Sequence, residues 1–534
     1  MILELAVRGK LVPQDPNDEP ASVLLKRITD ERDRLVREKI IKKPKKLPEI
    51  TEEKCLENFP TGWSECRLGS VMNVLNGRAY KKHEMLQEGT PLLRVGNLFT
   101  SKEWYYSDLE LEPDKYIDSG DLIYAWSASF GPFIWDGGKA IYHYHIWKLD
   151  FFDKRSLYKP YIFNFLLAIT EEIKASGNGI AMVHMTKDRM EKLILRIPPY
   201  SEQIRISERV EELMALCDQL EEQAENSIAA HQVLVETLLG TLTQSQNADE
   251  LAENWQRLAE HFDTLFTTEH SIDQLKQTIL QLAVMGKLVP QDPNDEPASV
   301  LLERIAAEKE QLIKDKKIKK QKVLPPISED EQSFVLPEGW AWERWNQVAL
   351  KIGDIDHKMP DEEINGIPYV SPRDFYPNNV IKFDDAKKIS LEDFERLAAK
   401  IQPKKGDIIF PRYGTIGANV LVETDLDFLA SYSCCVIKTL QGFISPSYQF
   451  IYSISSFVKD QCRKAENKTT QANVGIKSIQ EFVMPIPPLD EQYRIADKVN
   501  KLMTVSDELK ARLLESQQTQ LSIAKAITDQ ALQG

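Results

Sequence analysis

Few cysteines are present, and their spacing argues against the sites and crosslinks that cysteine usually forms. The 534 residues include six cysteines and no CxxC pair. Because structural zinc sites and disulfide frameworks need closely spaced cysteines, we expect neither. His143 and His145 lie two residues apart and would share one face of a strand. No third ligand lies nearby in the sequence, so we interpret this pair as part of an ordinary strand and expect no metal site.

Long hydrophobic runs are also missing. No apolar run approaches the roughly 18 residues that a membrane-spanning helix requires. Residues 1–5 lack the basic region and the small-residue cleavage site of a signal peptide. The sequence therefore predicts a cytoplasmic protein without a membrane partner. Its length corresponds to roughly three or four domains.

Enzyme motifs are absent as well. The sequence contains no GxxxxGK[ST] nucleotide-binding loop, no HExxH metal-binding pair and no GxSxG nucleophile turn. The Ile-Pro-Pro runs at 197–199 and 486–488 resemble part of the Asn-Pro-Pro-aromatic motif of adenine methyltransferases, but they lack its asparagine. Prolines are also expected where a helix begins. The sequence thus predicts no catalytic residue.

An excess of positive charge is lacking too. The formal net charge is −15, whereas contacts to DNA phosphates need clustered lysine and arginine. Net charge does not locate patches, however, and two lysine clusters follow predicted helices. They either track DNA phosphates or belong to solvated linkers, and the sequence favours neither alternative. The clusters comprise Lys42, Lys43, Lys45 and Lys46, and Lys316, Lys317, Lys319, Lys320 and Lys322.

What the sequence does contain is an internal duplication. Residues 2–28 recur as residues 279–305, at an offset of 277 (279 − 2), and only three of the 27 positions differ. The paired prolines at Pro198 and Pro487 are 289 residues apart (487 − 198), so some 12 residues (289 − 277) were gained inside the second copy. The chain is therefore two copies of one plan.

The two copies diverge unevenly. Their flanks are nearly identical, while their middles, residues 65–195 and 342–484, share only landmarks. In both middles, runs of aromatic and β-branched residues are broken by Gly, Asp and Asn, which predicts β-rich, mixed α/β inserts. One framework thus presents two different inserts, and this suggests two different specificities.

Both copies turn helical after their paired prolines. Hydrophobic positions there follow a four-three alternation, a period of 3.5 that is typical of a coiled-coil seam. The two helices either pair with each other or lie separately on their own domains, and their shared register favours mutual pairing. A further helix is predicted over residues 251–286. The seam positions are Ile206, Val210, Leu213, Cys217, Leu220, Ala224, Ser227, His231, Leu234 and Leu238, and Ile495, Val499, Leu502, Ser506, Leu509, Leu513, Ser516, Gln520, Ile523 and Ile527.

Predicted strands at residues 122–126 and 408–410 each run into a glycine-containing loop. Exposed Arg, Tyr, Ser and Thr side chains on a rigid sheet suit contacts with base edges and phosphates, although ordinary hairpin turns have a similar composition. A polar segment at residues 467–473 has the same character. The candidate DNA-contacting residues are Arg78, Lys81, Arg94, Asn97, Ser127 and Ser129 in the first insert, and Arg373, Arg412, Tyr413, Lys468, Thr470 and Gln471 in the second.

A family resemblance rests on two repeated motifs. The duplicated GKLVPQDPNDEPASVLL block and the PPxxEQxRI helix entries, which begin at Pro198 and Pro487, resemble the specificity subunits of Type I restriction–modification enzymes. The alternation of two variable regions with repeated helices resembles them too, over essentially the whole chain. The linker at residues 245–286 is similar to that of the Type IB subgroup.

The resemblance implies an α+β fold class with a pseudo-two-fold duplication. Two β-rich α/β target recognition domains would be separated by long helices that form an antiparallel coiled coil. The implied domains are an N-terminal helical segment and linker at 1–60, a first target recognition domain at 61–200, central helices and linker at 201–334, a second target recognition domain at 335–488, and a C-terminal helix at 489–534.

The resemblance also implies a non-catalytic subunit that binds double-stranded DNA at a bipartite, asymmetric site. Each target recognition domain would read one half, and the helices would set the spacing. Two modification subunits would dock on the helices and carry S-adenosylmethionine. Restriction subunits would add ATP-driven translocation and Mg²⁺-dependent cleavage, so no cofactor is expected to bind this chain directly.

Two other functions stay open at this point. One is a self-contained DNA adenine methyltransferase, against which the missing cofactor-binding motifs argue. The other is a duplicated coiled-coil scaffold without a DNA role. A scaffold explains the helices and the negative charge, but it does not explain why the middles diverged while their frame did not.

Overall fold

The computed structural model of the protein describes residues 1–50, 60–127, 129–176, 186–246, 248–376, 380–414, 416–466 and 473–533. The chain forms two compact units. The first unit consists of Met1–Glu225 with Ile523–Gly534, and the second consists of Asn226–Ser522. Within the described residues, every helix is too short or too polar to cross a bilayer.

The first unit is a β-rich insert held by helices. Four consecutive buried residues begin the strand Leu122–Ser127, as expected of a strand covered on both faces. The elements in chain order are α1 (Ile2–Val7), α2 (Ala21–Arg37), β1 (Ser64–Arg67), α3 (Leu68–Val71), β2 (Met72–Asn76), β3 (Thr90–Leu93), α4 (Val95–Phe99), β4 (Tyr105–Ser107), β5 (Tyr116–Ile117), β6 (Leu122–Ser127), β7 (Ser129–Ile134), β8 (Ala140–Tyr142), β9 (Ile146–Phe151), α5 (Lys159–Ser176), α6 (Lys187–Glu191), β10 (Ile194–Ile197) and the first part of α7 (Tyr200–Gln244).

Two four-stranded sheets and one closing strand pair build the first insert. One sheet has the order β2-β9-β6-β7, and the other has the order β4-β3-β8-β5 with β3 parallel to β8. β1 pairs antiparallel with β10, so that Ser64 faces Ile197. Leu24 and Ile28 of α2 and Ile206 of α7 are fully buried in the core beneath the first sheet. The insert therefore leaves and re-enters its helical frame through adjacent strands.

The second unit begins in α7 and ends in α17. Its elements are the rest of α7, α8 (Ala248–Glu260), α9 (Phe262–Leu265), α10 (Glu269–Val284), α11 (Ala298–Lys314), β11 (Ala341–Arg344), α12 (Trp345–Val348), β12 (Ala349–Gly353), β13 (Ile367–Val370), β14 (Lys387–Ile389), α13 (Leu391–Ala398), β15 (Ile408–Pro411), β16 (Val420–Leu421), β17 (Leu429–Ala430), β18 (Cys434–Thr439), α14 (Pro446–Ile454), α15 (Ser456–Ala465), α16 (Ile476–Glu481), β19 (Val483–Ile486) and α17 (Leu489–Gln533).

The strand plan of the first unit recurs in the second. The order β12-β18-β15-β16 corresponds to β2-β9-β6-β7, and β14-β13-β17 corresponds to β4-β3-β8. β13 and β17 are parallel, as β3 and β8 are, and β11 pairs with β19 as β1 pairs with β10. The duplication thus extends into the divergent middles. The predicted fold class, two β-rich α/β domains with long helices between and after them, is confirmed.

A buried glutamate closes the helical frame of the first unit. Glu202, in the first turn of α7, accepts hydrogen bonds at Oε1 from Trp63 Nε1 at 3.0 Å and from Gln14 Nε2 at 3.2 Å. An ion pair of 2.7 Å joins Arg205 to Asp18 beside it. These contacts tie the repeated N-terminal block to the helix entry.

The second unit contains the same closure. Glu491 accepts hydrogen bonds from Trp340 Nε1 at 3.0 Å and from Gln291 Nε2 at 3.1 Å, and Arg494 pairs with Asp295 at 2.6 Å. The GKLVPQDPNDEP block and the PPxxEQxRI entry therefore contact each other in both units. This mutual dependence accounts for the near identity of both motifs between the two copies.

Replacing each glutamate with glutamine distinguishes the two closures. Glu202 accepts both hydrogen bonds at one oxygen, which an amide oxygen can replace, whereas Glu491 uses Oε1 for Gln291 and Oε2 for Trp340. Glu491→Gln therefore places its NH₂ group opposite the N–H of either Trp340 or Gln291, so that two donors face each other. Because an unsatisfied buried polar group costs about 1–3 kcal/mol, we expect Glu491→Gln to lower the melting temperature more than Glu202→Gln does.

The pH dependence of melting provides a second measurement. Burial raises the pKa of Glu202 and of Glu491 above the ordinary value for glutamate. A raised pKa in the folded state contributes stability that is complete below the ordinary pKa and is lost as the pH rises through the raised value. Each glutamine variant lacks the titrating carboxyl group, so its melting temperature should fall less as the pH rises through the raised pKa. Equal melting temperatures for the two variants would contradict the assignment of the hydrogen bonds.

In the second unit α10 runs antiparallel to α17. Lys276 pairs with Asp507 at 2.6 Å, and Lys510 pairs with Asp273 at 2.9 Å, so residue numbers rise on one helix as they fall on the other. The predicted single helix over residues 251–286 is wrong, because it is divided into α8, α9 and α10. The division precedes Thr268, whose hydroxyl caps α10 by accepting a hydrogen bond from the backbone N–H of Ser271.

The predicted seam is buried where each long helix begins and exposed farther along. Ile206 and Val210 of α7 are at most 4% exposed. Leu220 in the middle of α7 is 55% exposed, and Ile527 near the end of α17 is 62% exposed. Mutual pairing of α7 with α17 stays a prediction.

Candidate nucleic-acid interface

A β-turn at residues 143–146 joins β8 to β9, which belong to different sheets, and gathers the loops that follow three other strands of the first insert. The backbone N–H of His143 donates to the last residue of β3 at 2.9 Å, and that of Trp126 donates to the carbonyl of His145 at 3.0 Å. The loop after β2 joins through the N–H of Arg78, which donates to the end of β8 at 3.1 Å. We call the resulting group the first turn cluster: Arg78, Arg94, Trp126, His143, Tyr144 and His145.

The first turn cluster presents aromatic rings. Trp126 stacks on Trp147, with 5.5 Å between ring centroids and 17° between planes. The ring of Tyr144 lies 3.9 Å from that of His145, and Tyr144 is 39% exposed. Amphipathic rings at a loop tip suit contacts with bases, sugars or phosphates.

The charges of this cluster are largely compensated. Arg78 pairs with Glu84 at 2.6 Å, and Arg94 lies 3.6 Å from a carboxylate oxygen of Glu103. Burial lowers the pKa of His143 to about 4, and the neighbouring imidazole and guanidinium add to that effect. His143 is therefore neutral at pH 7. The cluster offers hydrogen bonds and ring faces more than net positive charge.

The residues predicted to contact DNA in the first insert differ in their contacts and exposure. Asn97 uses both ends of its amide within the protein, since Oδ1 accepts from Arg94 N at 3.1 Å and Nδ2 donates to Glu103 O at 2.7 Å. It holds the loop after β3. Lys81 is exposed and caps a short 3-10 helix with its backbone. The side chain of Ser129 lies outside the described residues. Arg78, Arg94 and Ser127 lie at the β-turn between β8 and β9 or directly beside it.

The second insert has the same β-turn between β17 and β18, which also belong to different sheets. Ser431 N donates to the last residue of β13 at 2.8 Å, and Arg412 N donates to Ser433 O at 3.0 Å, as His143 and Trp126 do in the first insert. After β13, the N–H of Ser371 donates to Asp374 Oδ2 at 2.7 Å, as Arg94 donates to Asn97. We call this group the second turn cluster: Ser371, Arg412, Ser431, Tyr432 and Ser433.

Arg412 points into the second insert. It is 4% exposed, and its Nη2 donates to Asp354 Oδ2 at 2.7 Å. Its guanidinium lies 4.6 Å from the ring centroid of Tyr413. Next to this pair, His357 stacks on Tyr432 at 5.3 Å. Burial and pairing hold Arg412 in place, so the arginine positions the aromatic residues around it.

The other predicted residues of the second insert lie at the rim. The side chain of Arg373 is 76% exposed, 3.8 Å from Asp374. Tyr413 is half-buried and pairs with Asn473 through an isolated β-bridge. Lys468, Thr470 and Gln471 lie outside the described residues. Arg373 is thus far more accessible than Arg412.

Several residues of these clusters escaped sequence reasoning. Trp126, Tyr144 and Tyr432 reach the clusters through strand register, and Asp354 and His357 through a loop that is distant in sequence. The aromatic run at residues 141–147 was visible, but its place opposite β6 was not. Among the described residues, no group of three or more His, Cys, Asp or Glu side chains is placed to hold a metal ion.

The repeated inserts match a known family model. Residues 60–230 and 337–516 match the model described as the Type I restriction modification DNA specificity domain. The chain belongs to the family of Type I restriction–modification specificity subunits. Members of this family are non-catalytic, and catalysis lies in partner subunits.

Relatives resemble this specificity subunit over its whole length. The Type I restriction enzyme EcoAI specificity subunit of Escherichia coli is 38% identical, over 100% of this chain and 93% of the relative. The EcoEI specificity subunit of Escherichia coli is 36% identical over the same shares. Both belong to Type IB, as the resemblance predicted. The crystal structure of the HsdS subunit from Thermoanaerobacter tengcongensis is 16% identical, with a TM-score of 0.44 over 89% of this chain and 97% of that one.

Proposed function

We propose that this specificity subunit reads a two-part, asymmetric site in double-stranded DNA, one half through residues 61–200 and the other through residues 335–488. One observation carries the proposal: the two turn clusters share their backbone hydrogen bonds but differ in most side chains. Base identity is read by the donor and acceptor pattern of side chains. A common frame with different side chains is therefore what two different half-sites require.

The proposed DNA contacts follow the exposure of the predicted residues. Arg373 and Lys81 are exposed enough to reach phosphates, while Asn97 and Arg412 hold the loops from inside. The remaining proposed contacts are Arg78, Arg94, Ser127, Ser129, Tyr413, Lys468, Thr470 and Gln471. Loss of a base contact should relax one half-site, whereas loss of a phosphate contact should weaken all sequences alike.

Partner subunits complete the proposal. The net charge of −15 and the paired arginines leave this chain with little electrostatic affinity for DNA, so partners must supply part of it. We propose that two modification subunits dock on the exposed apolar residues of α7 and α17 and bring S-adenosylmethionine. Restriction subunits would add the ATP- and Mg²⁺-dependent steps. The exposed apolar residues outside the predicted seam include Leu216, Ile228, Val233, Val505, Leu514 and Leu521.

Two assays test this function. In cells that carry the chain with its native partners, methylome sequencing should find one interrupted motif, and deleting the chain should abolish it. The isolated chain should transfer no methyl group from labelled S-adenosylmethionine to DNA. Methyl transfer by the chain alone would support a self-contained methyltransferase, and a methylome unchanged by the deletion would support a scaffold.

The gap between half-sites should follow the length of the helices. Inserting four residues after Glu225 in α7 and after Leu514 in α17, the equivalent position (225 + 289), adds about 6 Å at about 1.5 Å per residue. We expect the tolerated gap to grow by about two base pairs, at about 3.4 Å each, with both half-sites unchanged. Methylome sequencing measures the gap.

A matched insertion in the lysine-rich linker at residues 316–322 serves as the control, because that linker is outside both long helices. It should leave the gap as it was. A changed base in either half-site of the helix variant would show that spacing and readout are not separate.

A further inference from the structure

The two turn clusters have one side chain in common. Tyr144 and Tyr432 hold the same place, 288 residues apart (432 − 144). The bonds on either side fix the equivalence: His143 and Ser431 each donate to the strand beside them, and the carbonyls one residue after each tyrosine accept from Trp126 and Arg412. The same backbone position therefore carries the same residue in both inserts.

The neighbours of the two tyrosines differ at every equivalent position. Trp126 in one insert corresponds to Arg412 in the other, and His145 corresponds to Ser433. His143 corresponds to Ser431, and Arg94 to Ser371. Tyrosine is thus the one residue type retained among these five equivalent pairs of positions.

Both tyrosines lie within their β-turns and are held there by ring contacts. Tyr144 packs between His143 and His145, with ring centroids 4.4 Å and 3.9 Å away, and Tyr432 stacks on His357. Tyr144 is 39% exposed and Tyr432 is half-buried. Among the described residues, neither hydroxyl has a hydrogen-bond partner. Each ring is therefore held in place, and its hydroxyl group is available to bind a ligand.

Two half-sites of different sequence have only the sugar–phosphate backbone in common. Tyrosine hydroxyls are among the groups that bind phosphate oxygens, and such contacts fix register without reading sequence. A residue that is the same in both clusters suits that role, and residues that differ suit base readout.

Resting on the proposed function of the two inserts, we infer that Tyr144 and Tyr432 each bind the DNA backbone of their half-site. The positions around them, 126, 143 and 145 in the first insert and 412, 431 and 433 in the second, determine which bases are read. Those side chains act directly where they are exposed and by positioning where they are buried.

Removing only the hydroxyl tests the first part. The full chain, as Tyr144→Phe or Tyr432→Phe and assembled with its native partners, is titrated with a duplex that carries the motif found by methylome sequencing and with an unrelated duplex. We expect both affinities to fall by the same factor, about tenfold, while the motif selected from random double-stranded DNA stays the same. The control is Tyr493→Phe on α17, whose residue is similarly exposed at 49%, and it should bind like the wild type.

Reciprocal replacements test the second part. His145→Ser and Ser433→His exchange the side chains of two equivalent positions. Each should change the selected bases in one half-site and leave binding to unrelated DNA unaltered. The inference fails if a Tyr→Phe variant changes base preference or leaves both affinities unaltered, or if neither exchange changes the motif. If the wild-type chain selects no motif with its partners present, the proposed function itself fails.

Discussion

Exchanging the second insert for that of a relative with another target is expected to change one half of the methylated sequence and leave the other half intact. The reason is that the side chains around Arg412 and Tyr432 all belong to that insert, while those around Tyr144 belong to the other. Each mismatched base pair costs about 1–3 kcal/mol, so the original half-site should disappear from the methylome.

The frame dictates where the exchange should begin and end. β11 pairs with β19, with Ala341 opposite Ile486, so junctions at these two residues leave the ends of the insert side by side. Trp340 and Glu491 then stay in the recipient and keep their hydrogen bond of 3.0 Å. The matched control exchanges the first insert between Ser64 and Ile197, which should change the opposite half-site. An exchange of one insert that altered both half-sites would point to a single composite binding surface.

A methyl group at Gly286 is expected to cost about 3 kcal/mol of folding stability. Gly286 has a φ of +71°, a left-handed conformation that costs an alanine roughly 1–2 kcal/mol. A Cβ atom there would also lie 2.5 Å from Pro337 Cγ and 2.9 Å from Trp340 Cζ2, and overpacking of this kind costs about 1–3 kcal/mol. The clash falls on the tryptophan that bonds Glu491, so the frame closure should weaken with it. Chemical denaturation of Gly286→Ala measures the sum.

The chain offers controls that separate the two costs. Gly442 has a φ of +87° and open space around it, so Gly442→Ala should show only the conformational cost. Gly138 also has open space around it but no positive φ, so Gly138→Ala should be neutral. Gly9→Ala should repeat the large effect in the first unit, where the added Cβ would lie 2.5 Å from Pro60 Cγ. If Gly286→Ala and Gly442→Ala lost the same folding free energy, the side chains around Trp340 would move aside at no measurable cost, and the packing argument would be wrong.

The frame was largely predictable because its evidence is repeated in the chain. Near identity of residues 2–28 and 279–305 indicates a shared structure without any knowledge of contacts. Likewise, the prolines before α7 and α17 indicate helix entries. The break inside the predicted helix at 251–286 carried a local signal, since Thr268 with Ser271 forms a cap.

The candidate interface was less predictable because it depends on contacts between distant residues. The burial of Arg412 follows from Asp354, 58 positions earlier in the chain. Tyr144 is placed by hydrogen bonds to three strand ends, and no periodicity in its own segment shows them. Composition indicated a loop after β15, but residues 129–131, predicted as loop in the first insert, belong to β7. Only the register of the strands shows which side chains meet at the strand ends.

The adjacency of strands at the base of each insert has a consequence for inheritance. The second insert is longer by some 12 residues (289 − 277), yet Ala341 faces Ile486 just as Ser64 faces Ile197. Closing a longer segment between fixed ends costs little, about 0.6 kcal/mol for each doubling of its length. Insertions, deletions and recombination within an insert therefore leave the geometry of the frame untouched. Each half of the molecule can therefore change its proposed half-site in single steps, while the other half and the helical frame are passed on unchanged.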